Sequence, residues 1–285
     1  MVEDRIEPLI EERAPWLFRG GLMGRVCKPA LDKLLGYRET LAIGERLDPL
    51  SAEDMMVALQ GMLAKRLSVR GLANVPASGA AIIVANHPTG IADAIMLNHA
   101  LSQIRQDAYY FANRDIMRVM PQFETMIAPV EWRQEKRSHA KMKETMAFTR
   151  AAVEQGRLGV IFPSGRLAKR RGIRLYERPW MASAAMIARK FDLPVIPVNI
   201  RSRNSALFYL FDFLHPTLRD ITLFYETLNK DRQPYHITVG EPISAASLPK
   251  NSDEAIDILR RETLRLGDDD LTLVSRKMRP ASALF

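Results

Sequence analysis

The chain has 285 residues, 47% of them hydrophobic, and a formal net charge of +8, which is enough for one large domain or two small ones. That charge is either plain solubility charge or a preference for polyanions: nucleic acid, an anionic membrane surface or phosphorylated substrates. No run approaches the roughly 18 apolar residues of a spanning helix. The charged start "MVEDRIEPLIEER" is wrong for a secretory signal, and the single cysteine, Cys27, excludes an internal disulfide framework and fits a reducing compartment.

Residues 1–66 read as helical. In "PWLFRGGLMGRVCKPALDKLLGY", Trp16, Phe18 and Leu22 alternate with Arg13, Arg19 and Arg25 at roughly helical spacing, interrupted by Gly20, Gly21 and Pro29. Such a segment is either a membrane-surface helix or a core helix. "SAEDMMVALQGMLAKRL" is a second helix, with Ser51 and Asp54 in a capping region. "LSVRGLANVPASG" reads as a short strand and a turn, and "AAIIVAN" as a buried strand by its β-branched run. A helix at "ADAIMLNHALSQI", a strand at "AYYFAN", a short helix at "RDIMRVMP" and a strand at "TMIAPVEW" follow. "SHAKMKETMAFTRAAVEQG" is a helix ending at Gly156, "LGVIFPSG" a strand entering a turn, and "RPWMASAAMIARKF" a helix. "LPVIPVNI" is a strand whose two prolines suggest an edge or a site-lining position. "SALFYLFDFL" is expected to be helical, "ITLFYETL" and "YHITVGEPI" to be strands, and "SDEAIDILRRETLRL" a final helix. The alternation from about residue 68 to 266 predicts an α/β fold: a single domain, residues 67–285, with a largely parallel mixed sheet flanked by helices and preceded by the helical segment 1–66.

Parallel sheets bind ligands at the carboxyl ends of their strands. "IIVANHPTGIADAIML" puts His87 just past such an end, with Asp93 six positions on. On a continuous helix six positions amount to about 600°, which separates the side chains, so they meet only if the helix starts between them. Pro88 and Gly90 make that turn plausible. Asp93 in the first helical turn then reaches back to an imidazole nitrogen and orients His87 as a general base. On this segment alone the simpler reading is preferred: an aspartate favoured by the helix dipole after a histidine in a tight turn. "VIFPSGRLAKRRGIRLYER" repeats the pattern of apolar strand and turn, and gathers Arg166, Lys169, Arg170, Arg171, Arg174 and Arg178 against Glu177. The cluster suits a phosphate, or is a solvated basic loop. The five histidines show no HExxH spacing, so no metal is expected.

Together these segments resemble the glycerolipid acyltransferase family of the 1-acylglycerol-3-phosphate acyltransferase type. That family carries a histidine-to-aspartate box, a middle block, an F-P-E-G block and a late V-P-I-V-P-like strand. The matching pieces here are "NHPTGIAD", "FANRDIMRVMP", "FPSGR" and "LPVIPV", in the same order over about 170 residues. The run from about residue 68 to 240 looks most like the bacterial hemolysin-type branch, which includes acyltransferases of ornithine-type and related aminolipids. Two departures stand out. Five residues, Pro88 to Ala92, separate histidine from aspartate instead of four, a longer form that this branch resembles; and Ser164 replaces the F-P-E-G glutamate, with Arg166 directly after the glycine.

The resemblance implies an O-acyltransferase that moves a fatty acyl chain from a thioester, on acyl carrier protein or coenzyme A, to the hydroxyl of a lysolipid. His87 is then the base and Asp93 its orienting partner. Asn86, Gly90, Asn113, Phe162, Pro163, Ser164, Gly165, Arg166 and Arg170 are the candidate substrate-binding residues, with backbone N–H groups near Gly90 or Gly165 as oxyanion donors. No metal and no cofactor beyond the acyl donor is expected. The expected partners are the lysolipid and the membrane surface with its anionic lipids, not nucleic acid, and the expected location is peripheral, on the cytoplasmic face of the inner membrane. A thioester or ester hydrolase using the same pair is the competing enzyme reading, and a non-catalytic anion- or nucleic-acid-binding module the competing non-enzyme reading.

Overall fold

The structure is a computed structural model that describes all residues except 19–21, 132–137, 173, 268–274 and 281–285. Arg19, Gly20 and Gly21 of the predicted N-terminal helix, and Trp132 at the end of a predicted strand, lie outside the described residues.

Four helices open the chain: α1 (Val2–Arg13), α2 (Leu22–Leu34), α3 (Tyr37–Leu47) and α4 (Ala52–Leu63). Ser51 caps α4 by accepting the Asp54 N–H, as its sequence suggests. Then come β1 (Leu67–Arg70), β2 (Ala81–Ala85), α5 (Ile91–Leu101), β3 (Tyr109–Asn113), α6 (Asp115–Val119), β4 (Ile127–Val130), α7 (His139–Glu154) and β5 (Leu158–Ile161). A short hairpin, β6 (Lys169–Arg171) and β7 (Arg174–Glu177), precedes α8 (Ser183–Lys190) and β8 (Val195–Arg201). The rest is α9 (Ala206–Leu214), α10 (Pro216–Ile221), α11 (Leu223–Leu228), β9 (Tyr235–Val239), α12 (Ser252–Arg265) and β10 (Ser275–Pro280).

The main sheet has seven strands in the order β1-β9-β8-β2-β5-β3-β4. Every pairing is parallel except β8 with β9. The α/β expectation is therefore met, and the carboxyl ends of β2, β3, β4, β5 and β8 share one edge. Strand β2 is buried along its whole length. Its period of two splits it between layers: Ile83 packs with Leu97 and Leu101 on one face, Ile82 and Val84 with Ala184 and Leu259 on the other.

Three segments differ from their sequence reading. "ITLFYETL" is not a strand: it forms the end of α10 and α11. Its aromatic and β-branched composition favours a strand only in isolation; here Leu223, Phe224 and Leu228 line the cavity described below while Thr222 and Glu226 are buried away from it, at the four-residue spacing of a helix. "LPVIPVNI" is an interior strand, between β9 and β2. Pro197 is tolerated because β9 ends at Val239, and beyond it the Gly240 N–H donates to the Pro197 carbonyl at 2.8 Å. The basic stretch is no open loop: β6 and β7 pair antiparallel, and β10 adds to β7 in a small second sheet.

The N-terminal helices are packed onto the sheet domain. Val2, Ile6 and Leu9 of α1 bury against Val119 of α6. Arg13 holds Asp115 at 2.8 Å, and Asp115 in turn receives Asn113 Nδ2 at 3.2 Å, which ties α1 to the end of β3. Among the described residues no helix is long and apolar enough to cross a membrane.

Candidate active site

The turn after β2 is built around one carboxylate. Gly90 has φ +100°, a conformation that L side chains rarely adopt, and this places the start of α5 between His87 and Asp93. Asp93 is fully buried. Its Oδ2 accepts the Thr89 N–H at 2.8 Å and the Gly90 N–H at 3.0 Å. Its Oδ1 accepts the Thr89 hydroxyl at 2.7 Å and the Tyr235 hydroxyl at 2.5 Å. Burial, and then the Asp93 charge, push the Tyr235 pKa up, so this phenol stays a donor.

His87 Nδ1 lies 2.9 Å from Asp93 Oδ2. The contact is close yet not aligned as a hydrogen bond. Phe162 stacks on the imidazole with ring centroids 4.3 Å apart and planes at 26°. With Nδ1 turned to Asp93, Nε2 is the nitrogen left for chemistry. The Gly90 N–H serves Asp93 and the Gly165 N–H donates to the Phe162 carbonyl at 2.9 Å, so of the backbone N–H groups expected near these glycines as oxyanion donors, the glycines' own are engaged.

His87 lines a cavity of about 2310 Å³ at the carboxyl edge of the sheet. This exceeds the ~300–1,000 Å³ of a drug-sized ligand site. Its walls are largely apolar, with Ile6, Leu9 and Ile43 from the N-terminal helices and Phe208, Leu223 and Phe224 opposite. Gly90, Asn113, Phe162, Pro163, Gly165 and Arg166 also line it. Three other candidates sit elsewhere. Asn86 is fully buried and clips β2 to β8, with its amide donating to the Ile200 carbonyl at 2.8 Å and accepting the Ile200 N–H at 2.7 Å. Ser164 is buried and donates to the Arg166 carbonyl at 2.8 Å. Arg170 is exposed, its guanidinium 5.1 Å from the centre of the Tyr209 ring.

Of the basic cluster read in the sequence, Arg178 lines the cavity with Arg166, and the structure adds Arg219, which the sequence reading did not single out. Arg219 is balanced by Asp212 at 3.1 Å and Asp220 at 2.7 Å. Burial and then the Arg166 charge hold the Arg178 pKa below its ordinary value, so like charges crowd together at a cavity wall and suit an anion there. Beneath the site, Lys230 and Glu226 form a fully buried pair at 3.0 Å, and Asp93 is close enough to add to the field on Lys230. Glu177 at the end of β7 is also fully buried. Its Oε1 accepts Trp180 Nε1 at 2.7 Å, while Oε2 has no hydrogen-bond partner among the described residues.

Burial pushes the Glu177 carboxyl from 4.5 up to about 7, against the pull of Trp180 and of His87. A raised carboxyl pKa means the folded state holds the proton more tightly than the unfolded chain. The associated stability is complete below about pH 4.5 and is lost as pH rises to about 7. The loss amounts to about 3 kcal/mol. Glu177→Gln, which keeps an acceptor for Trp180, is expected to remove that slope. Urea unfolding of both proteins at pH 5 and pH 8 checks it, and equal pH dependence in the two would refute the assignment.

A model of the acyltransferase family matches residues 66–201, which span β1 to β8 and include His87, Asp93 and Arg166. Residues 66–201 are thus similar to the acyltransferase family. A lyso-glycine lipid O-acyltransferase of Phocaeicola vulgatus is 22% identical over 208 residues, covering 71% of this chain and 73% of the relative. The protein of the same description from Bacteroides thetaiotaomicron is 21% identical over 219 residues, covering 75% and 78%. Among solved structures, the 1-acyl-sn-glycerophosphate (LPA) acyltransferase PlsC of Thermotoga maritima aligns with 17% identity and a TM-score of 0.46, over 87% of this chain and 84% of that one.

Proposed function

We propose that this acyltransferase moves a fatty acyl chain from an acyl thioester, on acyl carrier protein or coenzyme A, to the hydroxyl of a lysolipid, with no further cofactor. The observation that carries the reading is the His87–Asp93 pair opening into a large apolar cavity at the carboxyl edge of the sheet. His87 Nε2 takes the hydroxyl proton as the oxygen attacks the thioester carbonyl. The buried Asp93 carboxylate stabilises the imidazolium. Collapse of the tetrahedral intermediate breaks the C–S bond, and the departing thiolate takes the proton from His87. The apolar walls suit acyl chains, and the arginines suit an anionic head group. A lyso-glycine lipid acceptor of the kind named for the two relatives fits the cationic wall formed by Arg166, Arg178 and Arg219. In this reading residues 67–285 are the acyltransferase domain, and residues 1–66 a helical segment that walls the cavity. The protein works peripherally, on the cytoplasmic face of the inner membrane. A labelled acyl thioester incubated with and without lysolipid tests this. Label in the diacyl product supports transfer; free fatty acid at the same rate in both reactions supports the hydrolase reading instead.

Arg166 is assigned to the acceptor. It is exposed on the cavity rim beside Arg178. A planar guanidinium clamps a phosphate or carboxylate through two hydrogen bonds, which lysine does not reproduce. Arg166→Lys is expected to raise the KM for the lysolipid and leave that for the thioester nearly unchanged. Arg166→Ala should cost about 1.5–3 kcal/mol in kcat/KM for the lysolipid. Steady-state kinetics with each substrate varied in turn decides; a change confined to the thioester KM would give the arginine to the donor.

A further inference from the structure

The most exposed large apolar side chain among the described residues is Phe213, at 85%, and its neighbours on α9 are exposed with it: Leu210 at 52% and Leu214 at 58%. The spacing i, i+3, i+4 puts all three on one helix face. The opposite side of α9 is firmly seated. Phe208 and Tyr209 bury against Ala168 and Leu175 of the β6–β7 hairpin. The first turn is capped by the Ser205 hydroxyl, which accepts the Phe208 N–H at 3.2 Å, and Glu226 holds the Ser205 N–H at 2.8 Å. An apolar stripe on a rigid, capped helix is a built surface rather than a frayed one.

Two further features say what covers it. The hairpin against α9 carries Lys169, Arg170, Arg171 and Arg174, all exposed, and Arg170 reaches onto the Tyr209 ring beside Leu210. The same helix lines the catalytic cavity through Phe208 and Asp212. Apolar side chains, a cluster of cations and a cavity wall thus lie on adjoining elements. A protein partner would need only the stripe. A lipid leaflet needs the stripe to enter the acyl region, the cations to meet anionic head groups, and a cavity through which substrate leaves the leaflet.

We propose that α9, with the basic β6–β7 hairpin beside it, is the surface by which this enzyme docks on an anionic membrane. The proposal rests on the lysolipid reading above, but its test does not use turnover alone. The full-length protein is co-sedimented with vesicles of equal parts phosphatidylglycerol and phosphatidylcholine, and with phosphatidylcholine vesicles, without substrate. The wild type should bind the anionic vesicles and be partly released by salt. Phe213→Ser with Leu214→Ser should lower the partition coefficient by more than about tenfold. Lys169→Glu with Arg171→Glu should lower it on anionic vesicles by at least about fivefold per residue at low salt, and leave phosphatidylcholine binding unchanged. Phe213→Trp, a mild change, should gain fluorescence that brominated acyl chains quench.

On short-chain substrates dissolved as monomers the serine variants should turn over like the wild type. On vesicle-embedded lysolipid their turnover should fall in step with binding. Wild-type vesicle binding by the serine variants, or an unquenched Phe213→Trp, overturns the surface while leaving the function intact. Loss of a concentration-dependent dimer in the serine variants, with vesicle binding unchanged, also overturns it and gives the stripe to a second copy of this chain. Loss of vesicle binding in a protein that never transfers an acyl group supports the surface and refutes the function.

Discussion

His87→Ala is expected to lower acyl transfer about 10²–10⁴-fold, the usual worth of a positioned general base, while the protein stays folded. The side chain is removed from a turn whose geometry is held by others: Asp93 fixes Thr89 and Gly90, and the His87 carbonyl that accepts the Ala168 N–H at 3.0 Å is main chain. What is lost is the base and its stacking on Phe162. Asp93→Asn is a less clean probe. The carboxylate receives four protein donors and faces the imidazole. An amide keeps the two N–H groups only with its NH2 toward the two hydroxyls, which must turn to accept, and it removes the charge facing the imidazole, so turnover should fall strongly and stability with it. Kinetics and circular dichroism on both variants separate the cases. A folded His87→Ala protein with near-normal activity would sink the mechanism.

Lys230→Met is expected to cost about 3–5 kcal/mol of stability, because it leaves the Glu226 charge buried without its counter-ion. Both side chains of the pair are fully buried. Burial holds the Lys230 pKa down, while Glu226 and Asp93 favour its charged form. Glu226 also receives the Ser205 N–H and hydroxyl at the start of α9. The damage should therefore spread to α9 and to the site above, visible as faster hydrogen exchange in the first turn of that helix. Combining Lys230→Met with Glu226→Gln removes both charges and keeps an acceptor for Ser205, so much of the loss should return. Urea unfolding of the two singles and the double gives the coupling. A single variant as stable as the wild type would show that water, not Lys230, balances Glu226.

The local elements were legible where one physical signal dominated. The β-branched run "AIIVA" is a strand buried on both faces, and Ser51 caps the helix that follows it. The same is true of the His87 turn. Proline and glycine at that spacing make a helix start between histidine and aspartate plausible, and the structure has one there. "ITLFYETL" was misread because composition was its only signal. Whether an aromatic, β-branched segment extends or coils depends on what it packs against, and here that is a cavity built by segments far away in the chain.

The sequence by itself determined the alternating α/β layout, the placement of His87 and Asp93 at a strand end, and the basic, motif-bearing turn at Arg166, because each depends on residues a few positions apart. Only the tertiary structure decided what surrounds them. Tyr235 stands 142 positions from the Asp93 it holds. Glu177 and Lys230 are unremarkable letters until burial gives their charge a cost. Arg178 is one more cation of a basic run until folding brings it to the cavity wall beside Arg166. The N-terminal helices become cavity wall, and the α9 stripe an exposed face, through packing alone. Short-range rules fix where the backbone turns; the low dielectric and close packing that give a charge or an apolar face its meaning arise only when distant segments meet.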